Sequence, residues 1–203
     1  MGARPSLQAT LLTIIAGIAD SVGYIAMGGV FAANMTGNTV LAGIAAAHRD
    51  YDDATRHLAP LVSFFAGAML ARLLLRLWHR PAIPLLLESA IIAAVGFLPV
   101  GIEVAALIVA LAMGLQASAI THFGGAAIST VVVTSTLART ADATLDKMWP
   151  TGKSKLAAVA TPRLLALTWI GYLAGAVAGA LLLTVLPWPL LVPAALLLLV
   201  VVL

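Results

Sequence analysis

Apolar residues fill this chain in long runs, and the brief polar interruptions between them define its elements. Four runs have the roughly 20-residue length that crosses a bilayer as a helix, at about 58–78, 82–101, 160–186 and 187–203. Two further stretches fit no single helix. Between Pro5 and Ala47 the one charged residue is Asp20, and between Ala105 and Leu137 there is none. Each stretch is too long for one span and short for a complete helical hairpin. Each also carries a Gly-Gly pair and a polar break in its second half: Gly28-Gly29 with Asn34-Met35-Thr36-Gly37-Asn38, and Gly124-Gly125 with Thr134-Ser135-Thr136. Non-helical backbone at membrane depth survives only where protein or a water-filled cavity satisfies it. The pattern therefore predicts a full span followed by a broken or re-entrant piece, twice.

The two stretches belong to a longer duplication. Gly17-Ile18-Ala19-Asp20-Ser21 recurs as Gly114-Leu115-Gln116-Ala117-Ser118, and Ala66-Gly67-Ala68 recurs 108 residues on as Ala174-Gly175-Ala176. The predicted fold is an all-α integral membrane protein forming a single membrane domain over residues 1–203. Its six transmembrane helices form two three-helix repeats, about 8–101 and 103–203. An odd number of spans inverts the second copy relative to the first. Such an inverted pair is also the build of one half of a major-facilitator transporter, which makes a homodimer a possible working unit.

Charge agrees with that count. With a cytoplasmic N-terminus, six spans place Arg4, Arg72, Arg76, Arg80, Arg139, Lys147, Lys153, Lys155 and Arg163 inside and only Arg49 and Arg56 outside, nine against two. This is the distribution expected of an inner-membrane protein with both termini cytoplasmic. Eight spans would weaken the split to eight against three. A mean hydropathy of +1.09 with 9% charged residues excludes an ordinary soluble domain. The net charge of +3 comes from loops and forms no nucleic-acid-binding stripe. The N-terminal run continues past Asp20 without a convincing cleavage site, so it reads as a retained span rather than a signal peptide. Cysteine is absent, which removes thiolate metal sites and cysteine nucleophiles.

Asp20 is the sharpest candidate for chemistry. A mid-span carboxylate costs roughly 2.5–3.5 kcal/mol to insert, so a partner, a bound cation or a proton must offset it. Proton or cation coupling is one reading, and a hydrogen-bonded tie between helices is the other. In the first break, Asn34, Thr36, Gly37, Asn38 and Thr39 offer amides, hydroxyls and a flexible glycine that could ligate a small polar solute or an ion. The same residues could simply start a helix, with Thr36 or Asn38 as its cap. Gln116, Thr134 and Thr136 are the corresponding candidates in the second copy. Small residues four apart, Ser63-Gly67-Ala71 and Gly171-Gly175-Gly179, predict close helix packing, within the chain or between subunits. Glu88 is expected to pair with Arg72 or Arg76, and His122 to be an interfacial hydrogen-bonding histidine. The segment His48–His57 reads as a short surface helix capped by Asp50, with an Asp52–Arg56 pair, rather than as a metal site. No metal, cofactor or catalytic residue is expected. Gly152-Lys153-Ser154 lacks the upstream glycine and strand of a phosphate loop, and no intramembrane protease elbow is present.

The run Gly17-Ile18-Ala19-Asp20-Ser21-Val22-Gly23-Tyr24, followed by Gly29-Val30-Phe31-Ala32-Ala33-Asn34-Met35-Thr36-Gly37-Asn38-Thr39, resembles the YoaK family of bacterial membrane proteins. The likeness extends through Met113-Gly114-Leu115-Gln116 and Val133-Thr134-Ser135-Thr136. Where family members tend to carry Gln-Asn and Thr-Gly-Thr, this chain has Gln116-Ala117 and Thr134-Ser135-Thr136. The resemblance implies a six-helix inner-membrane fold and supplies no substrate. The residues themselves favour a secondary transporter or exporter of a small solute, proton-coupled through Asp20. A passive channel or uniporter, and a non-transporting membrane assembly partner, are the alternatives.

Overall fold

A helix closes its own backbone hydrogen bonds, so long apolar runs without water fold as helices. The computed structural model describes residues 3–120, 122–123, 126–127 and 162–203. Among these residues the chain forms α1 (Ala3–Ala26), α2 (Met35–Ala47), α3 (Tyr51–Trp78), α4 (Ala82–Phe97), α5 (Ile102–Ala119), α6 (Pro162–Val185) and α7 (Leu191–Val202). One departure from an all-helical fold follows α5, where β1 (His122–Phe123) pairs antiparallel with β2 (Ala126–Ala127). Four helices, α1, α3, α5 and α6, are long and apolar enough to cross a membrane. Two expected spans are short: α4 has 16 residues and α7 has 12. At 1.5 Å per residue the latter is only about 18 Å long. The second break, with Thr134 and Thr136, lies outside the described residues.

The expected surface helix at His48–His57 is instead the beginning of α3, which runs 28 residues from Tyr51. Asp50 caps it, accepting from the Asp53 backbone N–H at 3.0 Å. The ion pair there joins Asp53 to Arg56 at 2.9 Å rather than Asp52 to Arg56. Further along, Val62, Phe65, Met69 and Leu73 stay exposed while Gly67 and Ala71 are buried. A large apolar stripe turned outward is the surface of a helix whose solvent is lipid.

Helix packing follows the small residues. α1 lies along α6, with Gly171 against Thr10 and Thr13, Gly175 against Ile14, and Gly179 against Ile18 and Ser21. Both numberings advance together, so the two helices run parallel. α3 lies along α5, where Gly67 meets the Leu111 backbone. These contacts are reciprocal. A Cβ on Gly17 would strike Tyr172 and Ala176, and one on Gly114 would strike Phe64 and Ala68, the residues 108 earlier. A Cβ on Gly175 would strike Ile14, and one on Gly67 would strike Leu111, the residue 97 later. The glycines of both ladders are thus used inside the chain, where missing side chains let backbones touch.

Gly28 and Gly29, both at φ +78°, reverse the chain after α1. It comes back about 9 Å along α1, six residues at the helical rise, until Ala33 and Asn34 meet Asp20. Gly23 permits the close return, since a Cβ there would fall 2.7 Å from the Val30 carbonyl oxygen. From that depth α2 climbs back toward the end shared by Gly28 and Arg56, and α3 descends from it.

Candidate functional site

Asp20 sits in α1 with 3% of its surface exposed, and its carboxylate is fully committed. Oδ1 accepts from the Ala33 N–H at 2.6 Å and the Asn34 N–H at 3.1 Å, and Oδ2 accepts from the Tyr172 hydroxyl of α6. These two N–H groups precede α2 and have no helical acceptor of their own. The carboxylate therefore ties α1, the returning segment and α6 together. In its ionised form the carboxylate would hold each of the three bonds more strongly than a neutral acid does.

The break itself is built by two asparagines. Asn34 is the helix cap, accepting from the Gly37 N–H at 3.1 Å, in place of the expected Thr36 or Asn38. Asn38 is fully buried and pairs both ways with one residue of the returning segment. Its Oδ1 accepts from the Phe31 N–H at 2.9 Å, and its Nδ2 donates to the Phe31 carbonyl at 2.7 Å. Gly37 is tight against the same residue, since a Cβ there would lie 2.9 Å from the Phe31 ring. Thr36 and Thr39 are exposed, and Thr39 returns its hydroxyl to the Met35 carbonyl at 2.8 Å. The structure thus brings Asp20, Asn34, Gly37 and Asn38 to one knot and turns the two threonines away from it. An Asn38→Leu variant should unfold about 2 kcal/mol more easily, because it strands both polar groups of Phe31 where little water reaches. Thermal melting in detergent reads this, with Thr36→Val as a near-neutral control.

Gln116 serves as a helix-to-helix tie: its Nε2 donates to the Leu12 carbonyl of α1 at 3.0 Å, while its Oε1 has no partner among the described residues. The expected Glu88 pairing fails, because Glu88 is buried and has no partner among the described residues, whereas Arg72 and Arg76 are exposed. Tyr172 escaped the sequence reading. Its signal was internal to the repeat: Asp20 and Tyr172 occupy the positions that Ala117 and Phe64 hold in the other copy. One crossing has a polar pair where its counterpart has an apolar one.

Beside the knot lies a cleft of about 670 Å³. Met27, Gly28 and Val30 of the returning segment form one wall, the start of α3 with Asp52, Thr55 and Arg56 a second, and Glu103 of α5 belongs to a third. Its mixed lining suits a small amphiphilic or polar molecule. The segment that Asp20 anchors is therefore also a wall of this cleft.

A family model described as "Protein of unknown function (DUF1275)" matches residues 8–203. The chain is similar to the UPF0700 transmembrane protein YoaK of Bacillus subtilis (strain 168), 35% identical over 142 residues, which cover 64% of this chain. The match spans 62% of that relative's own length. No solved structure matches the chain.

Proposed function

The chain belongs to the DUF1275 family and is a multi-pass membrane protein, and from its own geometry we propose that it is a secondary transporter or exporter of a small solute. One observation carries this reading: the segment that Asp20 holds at depth also walls the cleft. Loosening three hydrogen bonds would change the shape of the cleft without unpacking the helices. The proton enters through Oδ2. Protonation reverses the bond with the Tyr172 hydroxyl and removes the charge that strengthens the two backbone bonds, so proton uptake weakens the hold on the segment. Solute and proton then bias one two-state element, which is what coupling requires.

The architecture proposed is six crossings in two inverted repeats, with α2 a re-entrant piece. Three observations support it. The reciprocal glycine contacts relate α1 and α6 to α5 and α3, α1 runs parallel to α6, and α2 starts at the depth of Asp20 instead of traversing. Nine basic residues against two favour cytoplasmic termini in a bacterial inner membrane. A homodimer follows only by analogy with transporters built from two such halves. No catalytic role is proposed. The assembly-partner reading is weakened because the glycine ladders are occupied within the chain.

The test is proteoliposomes loaded with a pH-sensitive dye and challenged with a panel of small polar solutes. The expected result is a solute-triggered pH change that Asp20→Asn abolishes. Solute flux indifferent to the pH gradient would favour a passive uniporter. No flux for any solute would sink the transport reading.

A further inference from the structure

A second membrane carboxyl stands in a different environment from Asp20. Glu88 lies near the middle of α4, has 0% of its surface exposed, and neither carboxyl oxygen has a hydrogen-bond partner among the described residues. The neighbouring Ser89 hydroxyl is committed to the Ala194 carbonyl of α7 at 2.8 Å.

Among the described residues, no charge on a packed element compensates it. α4 packs against α5, α7 and α3. α7 carries no ionisable residue, and the one such residue on α5, Glu103, is exposed at its first turn. On α3, Arg72 and Arg76 are exposed, while Asp52, Asp53, Arg56 and His57 occupy the opposite end of the helix. His79 and Arg80, which lead into α4, are exposed. An ionised carboxylate without a donor or counter-charge is far more costly in such a place than a neutral acid.

We propose that Glu88 is an intramembrane proton-binding site, holding its proton while α4 stays packed on α5 and α7 and exchanging it with water only when those helices part. Asp20 accepts three hydrogen bonds, whereas Glu88 has no donor among the described residues, so Glu88 gains nothing from ionising until water arrives. The site is therefore a proton store gated by helix separation. It does not rest on the transport reading, and its test needs no solute.

Dicyclohexylcarbodiimide is the probe. The O–H of a protonated carboxyl adds across one C=N bond of the reagent, and the O-acylisourea formed rearranges to a stable N-acylurea without a further reactant. Full-length protein in lipid vesicles, treated with the reagent and mapped by mass spectrometry, should carry the adduct at Glu88. Labelling should already occur at neutral pH and be lost in Glu88→Gln. Because tight packing can exclude the reagent, infrared spectroscopy is the second readout. The carbonyl stretch of a protonated acid should be present in the wild type at neutral pH, lost in Glu88→Gln and retained in Asp20→Asn. The proposal is overturned if Glu88→Gln leaves that band intact or removes a carboxylate band instead.

Discussion

Gly175→Leu should leave little folded protein. The Cβ alone would overlap the Ile14 backbone, which cannot rotate away as a side chain could. Relief requires α1 and α6 to separate along the ladder that also includes Gly171 and Gly179. Overpacking a core costs about 1–3 kcal/mol when side chains can adjust, and here backbone must move, so a loss of about 3 kcal/mol or more is expected. In lipid the loss is not recovered elsewhere, because helix association there depends on close packing rather than on escape from water. Gly67→Leu should behave alike, since it meets Leu111 in the same way. Gly43→Ala is the control. A Cβ there meets nothing within 4 Å, and alanine should stabilise α2 by about 0.5–1 kcal/mol. Detergent melting curves of the three variants read the contrast.

Asp20→Ala is expected to cost about 2–4 kcal/mol. Truncation strands the N–H groups of Ala33 and Asn34 and the Tyr172 hydroxyl, each worth about 1–3 kcal/mol when buried unpaired. Part of that is offset because a buried charge disappears with them. Asp20→Asn keeps an acceptor for the two backbone donors and presents an N–H₂ that Tyr172 can accept, so a smaller loss of about 1 kcal/mol is expected. Tyr172→Phe should match the milder variant. The order Ala, then Asn and Phe together, distinguishes a three-way tie from a carboxylate that merely fills space. Hydrogen exchange of the Ala33 and Asn34 amides should rise in the same order.

Much of this organisation is legible in the chain. Long apolar runs mark the helices, the Gly-Gly pair marks the reversal after α1, and two offsets mark the repeat. The offsets alone do not say which helix meets which, and the crosswise contacts of Gly17 with α6 and Gly114 with α3 emerge only from packing. Helical geometry explains the mixed outcome in the first break. Residues two apart on a helix point to nearly opposite faces and adjacent ones differ by about 100°, so burying Asn38 turns Thr36 and Thr39 outward. Tyr172 was illegible because it reads as an ordinary aromatic until the Phe64 position is set beside it. The Glu88 pairing failed because nearness along the sequence to Arg72 and Arg76 says nothing about helix rotation. Those arginines point out of the bundle, and Glu88 points in.

The central claim is that Asp20 holds the returning segment against the cleft. The chain has no cysteine, so Val30→Cys provides a unique thiol on that segment, at a position 2% exposed. The measurement is its rate of modification by a membrane-impermeant maleimide in proteoliposomes, alone and combined with Asp20→Asn or Tyr172→Phe. Slow labelling in the single variant, faster in both combinations, is the expected result. Relative to an exposed reference thiol at Thr36→Cys, acidification should speed labelling in the single variant and leave the Asp20→Asn combination unchanged. A rate that ignores both substitutions and pH would contradict the account.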